Sequence, residues 1–454
     1  MGFRSNILVL LVVFNFLPLL ALYRAVNAWV RTPSRRKIML ALLGAAILLI
    51  NIPVSLFWLR SLNIQLNNLP ASTLRLIFFP AVAWQTTAVV CTLLLAPAYL
   101  LWASYRAARK IAISVKPSPA PVDLPAVPAA PAVSRRSFVT SGAGLLVPAI
   151  FGTTAVQIYQ DLDAVDIPPE RAIPMPYLPR SLDGMTIVQL SDLHAGPYIG
   201  QKEMDHWVSL ANQLHPDLVV LTGDIIDRSL DSLPEALAAL QGLRAPLGII
   251  ATLGNHDLSS DRSGPQNGFY GGENVAQGLE SIGVRVLRNQ VTTVGSSPDQ
   301  TQDRLAVIGL DWMVNSGGLV PSGPPALATG RNFFQYQSEV TREHLSRLAQ
   351  QVPPETPTLL LAHHPDTFLE VPALGFGLTL SGHTHGGGQV VFFTWNGAPV
   401  GISSAQFKYV SGFFQEKGCS LYVNRGLGYF GVPIRINCPP EISRFRLTRP
   451  QPTS

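Results

Sequence analysis

Apolar positions fall into two textures along this chain. Through residue 160 they run almost unbroken, as Ile7–Leu22, Ile38–Leu59, Leu76–Trp102 and a weaker fourth stretch, Phe138–Ile158, diluted by Gly, Ala, Thr and Pro. Each of the first three approaches the ~20 residues, at ~1.5 Å rise, that a ~30 Å bilayer core requires. Internal Pro18, Pro53, Pro80 and Pro97 are compatible with membrane helices, where neighbouring groups re-satisfy the freed backbone. From about Pro168 the pattern changes to short β-rich runs alternating with amphipathic ones. Strands are expected at Met185–Leu190, Leu218–Leu221, Leu247–Leu253, Leu305–Leu310, Thr358–Leu361 and Leu378–Leu380, and helices at Lys202–Leu214 and Leu233–Leu243. The expected organisation is a membrane region over 1–116 with three transmembrane helices, a Pro/Ala-rich linker over 117–136, a fourth apolar helix over 137–160, and an α/β domain over 165–454.

Composition supports the membrane reading. Of 454 residues, 47% are hydrophobic and only 13% charged, and the mean hydropathy is +0.25, too apolar for a soluble domain of this length. Lys and Arg exceed Asp and Glu by 33 − 28 = +5. The excess sits in the loops around the apolar runs: Arg24, Arg31, Arg35, Arg36 and Lys37 after the first, then Arg106, Arg109, Lys110, Lys116, Arg135 and Arg136 after the third. The positive-inside rule puts both loops in the cytoplasm and the N-terminus outside. If the fourth run crosses, the C-terminal domain is extracytoplasmic (periplasmic), on a multi-pass protein of the inner or plasma membrane. No basic-aromatic face stands out, so nucleic acid is not an expected partner. The linker ends in Ser134-Arg135-Arg136-Ser137-Phe138-Val139, which resembles a twin-arginine export signal; two arginines flanking a membrane helix read the same way. Cys91 lies in an apolar run, whereas Cys419 and Cys438 are either buried thiols or a pair in an oxidising compartment.

The candidate chemistry is confined to the second half. In order it reads Asp192-Leu-His194, Gly223-Asp224-Ile-Ile-Asp227, Gly254-Asn255-His256-Asp257, Ala362-His363-His364 and Gly382-His383-Thr384-His385. Every cluster follows an expected strand, where α/β sheets gather functional groups. Carboxylates, imidazoles and one amide suit a pair of divalent ions, and such pairs serve displacement at phosphorus. Imidazole-rich ligation disfavours magnesium and fits manganese first, with iron, zinc or cobalt also admissible.

These blocks resemble the calcineurin-like metallophosphoesterase superfamily over the C-terminal ~285 residues. The resemblance implies a four-layer αββα sandwich with a dimetal site at one edge. It implies one metal held by Asp192, His194, Asp224 and His385, and a second held by Asp224, Asn255, His363 and His383, with Asp224 shared. His256 would protonate the leaving oxygen. Asp257 is either the orienter of that imidazole or a turn residue, Asp227 supports the ligand shell, and Arg228 reaches either phosphate or a surface partner. Two divalent ions less two carboxylates leave a net positive site that attracts an anionic phosphoester, attacked in line by metal-activated water.

A narrower resemblance, to bacterial membrane-linked members that include twin-arginine-exported phosphoesterases and UDP-diacylglucosamine hydrolases, rests on Tyr270-Gly-Gly, Val286-Leu-Arg-Asn289, the Gly run after His385, Asn424-Arg-Gly-Leu-Gly and Pro433-Ile-Arg435 through Glu441-Ile. It implies a phosphodiester or pyrophosphate substrate, lipid-linked or nucleotide-linked, with Arg288, Asn289 and Arg425 touching it. The Gly run is one residue longer here, and Leu258–Gly268 reads as an inserted loop. A broad phosphomonoesterase and a non-enzymatic membrane receptor are the competing functions. Phe392, Phe393, Trp395, Phe413 and Phe414 form either the core of a strand pair or a membrane-facing lip.

Overall fold

The apolar N-terminal runs fold as helices α1 (Phe3–Trp29), α2 (Pro33–Leu59), α3 (Ala71–Val115) and α4 (Arg135–Gln160). The structure is a computed structural model that describes residues 3–59, 71–115, 135–160, 164–227, 229–259, 272–295, 303–312, 333–401, 403–431 and 433–450. Most of the Pro/Ala-rich linker, Arg228, Tyr270 and most of Leu258–Gly268 therefore lie outside the described residues; Arg135 opens α4. Residues 1–65 with 72–159 make one compact unit, and 66–71 with 160–454 make a second.

Within the first unit, Ala21, Trp84, Cys91, Leu95 and Val147 pack together with Ile47 and Ile50, so every helix contributes to the cluster. Polar side chains join the helices. Trp84 Nε1 donates to Asn15 Oδ1 at 2.6 Å, Asn15 Nδ2 donates to Gln85 Oε1 at 3.1 Å, and Gln85 Nε2 donates to Asn51 Oδ1. Leu42, Leu48, Leu49, Leu93, Leu100 and Leu101 instead point outward and are exposed. Polar groups inside and leucines outside reverse the pattern of a water-soluble bundle. Among the described residues, one stretch is long and apolar enough to cross a bilayer: Phe79–Arg109, 31 residues with mean hydropathy 1.7. Gly144–Val156 is apolar but shorter. By that measure one of the expected spans is met among the described residues.

The second unit is built on two six-stranded mixed sheets. The first uses β1 (Arg171–Pro174), β2 (Thr186–Leu190), β3 (Leu218–Thr222), β4 (Ile249–Thr252), β5 (Arg285–Val286) and β14 (Ser443–Thr448), in the order β1-β14-β2-β3-β4-β5. The second uses β6 (Gln290–Val294), β7 (Leu305–Leu310), β8 (Thr358–Ala362), β9 (Leu378–Ser381), β12 (Gly412–Glu416) and β13 (Cys419–Val423), in the order β12-β13-β9-β8-β7-β6. A separate antiparallel pair, β10 (Val391–Trp395) and β11 (Ala398–Gly401), stands apart from both. Every residue of β2, β3 and β8 is buried, as expected for strands covered on both faces.

Alternation sorts those side chains. Ile187, Leu218, Val220, Leu359, Leu361, Leu378 and Leu380 meet between the sheets. On the outer face of the second sheet, Ile308, Leu360 and Leu421 pack with Leu345 and Leu348 of the Phe333–Ala349 helix. Helices α5 (Gln201–Gln213) and α6 (Leu233–Leu240) bury Met204, Trp207, Ala236 and Leu240. The domain is an α/β sandwich. β2, β3 and β4 pair in parallel, as do β7, β8 and β9, so the C-terminal strand ends of each run lie along one edge. Cys419 and Cys438 are separate buried thiols, so the paired alternative does not hold.

Candidate metal centre

Each candidate ligand follows a strand end: Asp192 and His194 after β2, Asp224 after β3, Asn255 and His256 after β4, His363 after β8, His383 and His385 after β9. The chain turns there through left-handed backbone, with φ of 51° at Asp192, 47° at His194, 54° at Asp224, 70° at His383 and 47° at His385. Asp and His are among the side chains that tolerate this region. Backbone bonds brace the loops: Asp192 N donates to Gly223 O and His194 N to Asp224 O, both at 3.0 Å. Gly254 approaches Asp224 so closely that a Cβ would overlap its carboxylate. The Asp257 carboxylate accepts from the backbone N–H groups of Ile225 at 2.8 Å, Ile226 at 3.1 Å and Gly254 at 2.9 Å. Asp257 is thus a loop brace.

Three groups of ligating atoms converge, each within 4.8 Å: Asp192, His194 and His385; Asp224, His363 and His383; His194, Asp227 and His256. Asp224 joins the first two. Its Oδ2 lies 3.5 Å from His194 Nε2 and 3.2 Å from His363 Nε2, while its Oδ1 accepts from His256 N at 2.8 Å. Asp192 accepts from Ser191 Oγ at 2.6 Å and His383 N at 3.0 Å, and its Oδ1 is 3.4 Å from His385 Nε2. His363 Nδ1 faces the Thr222 carbonyl at 2.6 Å; the carbonyl accepts, so the Nε2 lone pair is left for the cluster. His256 Nδ1 lies 2.8 Å from Asp227 Oδ1, so Asp227 orients this imidazole and Asp257 does not.

The electrostatics fit a cation. Burial, reinforced by Asp224, lifts the Asp192 carboxyl to about 6. Burial, then neighbouring His256, pulls His194 down to about 3, and His383 and His385 are held well below the usual imidazole range by burial and adjacent His364 and His194 respectively. These rings are neutral and carry lone pairs at pH 7. For His363, burial is outweighed by Asp224 and Asp192, which raise it to about 9. His363 Nε2, His194 Nδ1 and Asn255 Oδ1 are buried without a hydrogen-bond partner, and an unsatisfied buried polar atom is costly. His194 Nε2 and His385 Nε2 stand 3.0 Å apart; two such nitrogens need a proton or a cation between them. The donor set therefore fits divalent metals.

The remaining expected site residues have partners of their own. Arg288 donates to Asp311 at 2.9 Å and Glu273 at 3.1 Å, and Asn289 Oδ1 accepts from Asp311 N at 3.1 Å. Both support the end of β7, where Trp312 packs 4.5 Å from His383, ring centre to ring centre. Arg425 is ion-paired with Glu441 and Asp166. His364 accepts from Asp366 N at 3.1 Å and packs against both Trp312 and His383. Arg435 gained no role of its own from the sequence reading, yet it is fully buried. Its guanidinium donates to the carbonyls of Arg425 at 3.1 Å, Gly426 at 2.9 Å, Gly428 at 2.6 Å and Cys438 at 3.2 Å, with Nη2 3.5 Å from His385 Nδ1. A lone arginine in the apolar run Val432-Pro-Ile-Arg-Ile was its only sequence signal.

With this geometry in place, comparison with known proteins adds the following. A family model for calcineurin-like phosphoesterase matches residues 185–387. The uncharacterised metallophosphoesterase YkuE of Bacillus subtilis is 30% identical over 281 residues, covering 61% of this chain and 84% of that protein. The UDP-2,3-diacylglucosamine pyrophosphatase LpxG of Chlamydia trachomatis is 28% identical over 294 residues, 58% of this chain and 84% of that one. A zebrafish transmembrane protein with metallophosphoesterase domain is 28% identical over 320 residues, 70% of this chain, but the match spans only 64% of its length.

Two outcomes are expected of this centre. Purified full chain equilibrated with manganese holds two ions by elemental analysis, and Asp224→Ala holds fewer than one, because the shared carboxylate is gone. Arg435→Met removes the guanidinium donor from the carbonyls of Arg425, Gly428 and Cys438, so the urea-unfolding midpoint of the second unit drops by the equivalent of about 3–5 kcal/mol.

Proposed function

The chain belongs to the calcineurin-like phosphoesterase family, and from that premise we propose that it is a membrane-anchored dinuclear-metal hydrolase. Its favoured substrate is a phosphodiester or pyrophosphate in an envelope lipid or a nucleotide-linked precursor. One observation carries the reading: two ligand groups abut at a single buried carboxylate, Asp224, with His363 Nε2 and Asn255 Oδ1 buried and lacking hydrogen-bond partners. Asp192, His194, Asp224 and His385 would hold one ion, and Asp224, Asn255, His363 and His383 the other. Manganese is the first choice for this mixed carboxylate, imidazole and amide set. Two divalent ions supply Lewis acidity toward phosphoryl oxygens and lower the pKa of water.

The protein's own part is positioning and proton handling. Ser191 and the His383 backbone N–H hold the Asp192 carboxylate, Thr222 fixes the His363 tautomer, and the loop glycines bring Asp224 into reach of both groups. Asp227 engages His256 at Nδ1, which leaves Nε2 as the atom that gives a proton to the leaving oxygen. Asp227 is 24% exposed whereas Asp192 is fully buried, so the partner of the proton donor reaches toward solvent. The LpxG resemblance supports a pyrophosphate in a lipid precursor, and the named transmembrane relatives support membrane association.

Full chain in detergent with manganese should hydrolyse bis(p-nitrophenyl) phosphate faster than p-nitrophenyl phosphate. Asp224→Ala abolishes turnover. His256→Ala lowers kcat about 10²–10⁴-fold while both metals stay bound; unchanged kcat in that variant removes the assigned proton donor. For topology, several spans with the phosphoesterase unit outside the cytoplasm are supported by the outward leucines and the basic loops. Protease added to intact spheroplasts should then digest the C-terminal unit, and complete protection reverses the orientation.

A further inference from the structure

The β10–β11 hairpin breaks the rule that governs the rest of its domain. Successive strand residues point to opposite faces, yet Phe392 is 39%, Phe393 55% and Trp395 67% exposed. Both faces of this part of the ribbon are bare, so its aromatic residues cover no core. Phe413 and Phe414 behave otherwise, since each packs against a core cluster from β12. A free two-stranded ribbon is marginal in water, and exposed aromatic groups of this kind mark an interaction surface.

Its root is fastened to the mouth of the metal centre. Gly386, Gly387 and Gly388, with φ of 64°, 103° and 91°, lead directly from His385 into the hairpin. A Cβ on Gly387 or Gly388 would press on Ser404 or Ser403, which explains the third glycine of the run. Gln389 clamps the neighbouring loop, donating from Nε2 to Phe430 O at 3.0 Å and accepting from Phe430 N at Oε1. Phe430 is itself 50% exposed and stands edge-on to His256, ring centres 5.8 Å apart. Gln389 thus ties the root of the hairpin to the loop whose exposed phenylalanine stands beside His256.

We propose that this hairpin and Phe430 are a membrane-contacting lip that seats the mouth of the metal centre on a lipid bilayer. The chemistry favours lipid over protein. From Ser381 through Gln415 the chain holds no Asp or Glu, and Lys408 is its sole Lys or Arg, so nothing there repels anionic headgroups. Trp and Phe are the side chains that settle at a bilayer interface. The chain also carries its own helix of bilayer-crossing length. The seating stands on surface chemistry; its consequence, direct access to phosphoesters carried by lipids, rests on the phosphoesterase reading above.

The test uses full-length protein reconstituted into phosphatidylcholine/phosphatidylglycerol vesicles. A nitroxide is placed at Thr394→Cys, which leaves every aromatic in place, or at Glu355→Cys, an exposed site ahead of the N-terminal end of β8. The natural cysteines are buried. Seating predicts that the label at 394 collides with oxygen and is shielded from a water-soluble nickel chelate, while the label at 355 is open to the chelate. Equal chelate access at both positions overturns the proposal. Spin–spin broadening at 394 assigns the surface to a second copy of the chain and overturns it too. In parallel, Phe393→Ser/Trp395→Ser should lower turnover of a vesicle-borne phosphodiester at least tenfold and leave bis(p-nitrophenyl) phosphate unchanged. An equal fall on both substrates counts against the lip. If neither substrate is turned over by the parent protein, the phosphoesterase reading fails while the nitroxide result still decides the seating.

Discussion

Everything in the second unit is subordinate to bringing two carboxylates and four imidazole rings together in one buried cluster. The constraint shows in the backbone. Asp192, His194, Asp224, His383 and His385 all adopt left-handed φ, a conformation that costs non-glycine residues about 1 kcal/mol or more each. Such strain persists only where the surroundings over-determine it. Here they do: Gly223 O and Asp224 O hold the β2 loop, Asp257 caps three backbone N–H groups of the β3 and β4 loops, and Arg435 ties together the carbonyls behind His385. The braces compensate for strain but leave the buried charge of Asp192 and Asp224 unanswered. A divalent cation answers it, and for that reason the unpaired nitrogens and the raised Asp192 pKa belong to the same account.

Local sequence made the centre of this domain readable and its periphery opaque. The six strands expected from apolar runs all appear, with ends shifted by at most two residues, because each is buried on both faces and its hydrophobic signal is continuous. The ligand blocks were legible because each follows one of those strands. Of the strands in the two sheets, β1, β5, β6, β12, β13 and β14 were missed; Arg444 and Arg446 of β14 alternate with apolar residues and find Glu170, a partner almost the length of the domain away in sequence. The same distance hides side-chain partners. Proximity in sequence nominated Asp257 for His256, but the fold supplies Asp227. Arg288 and Arg425 look like anion-binding residues in a list of motifs, and only the fold shows the carboxylates that occupy them.

The N-terminal unit illustrates the same division. Hydropathy identified the helices, and charge placement carried the expectation of their orientation. Neither could show that Asn15, Trp84, Gln85 and Asn51 meet between helices, since single polar residues within apolar runs carry no signature of their partner. In hydrocarbon such bonds supply the helix association that water would otherwise drive through apolar burial. The exposed leucines on the outer surface are the complement of that ladder.

The two ligand groups are not equivalent, and their difference gives the site a direction. The group of Asp224, His363 and His383 is flanked by Trp312, His364 and Phe407. The group of Asp192, His194 and His385 instead adjoins His256, Asp227 and the half-exposed Phe430. A leaving group must depart where a proton can reach it and where solvent or lipid can receive it. Both conditions are met on the His256 side, and Gln389 roots the aromatic hairpin there. Under the proposed function, the alcohol or phosphate that leaves does so beside His256 and Phe430.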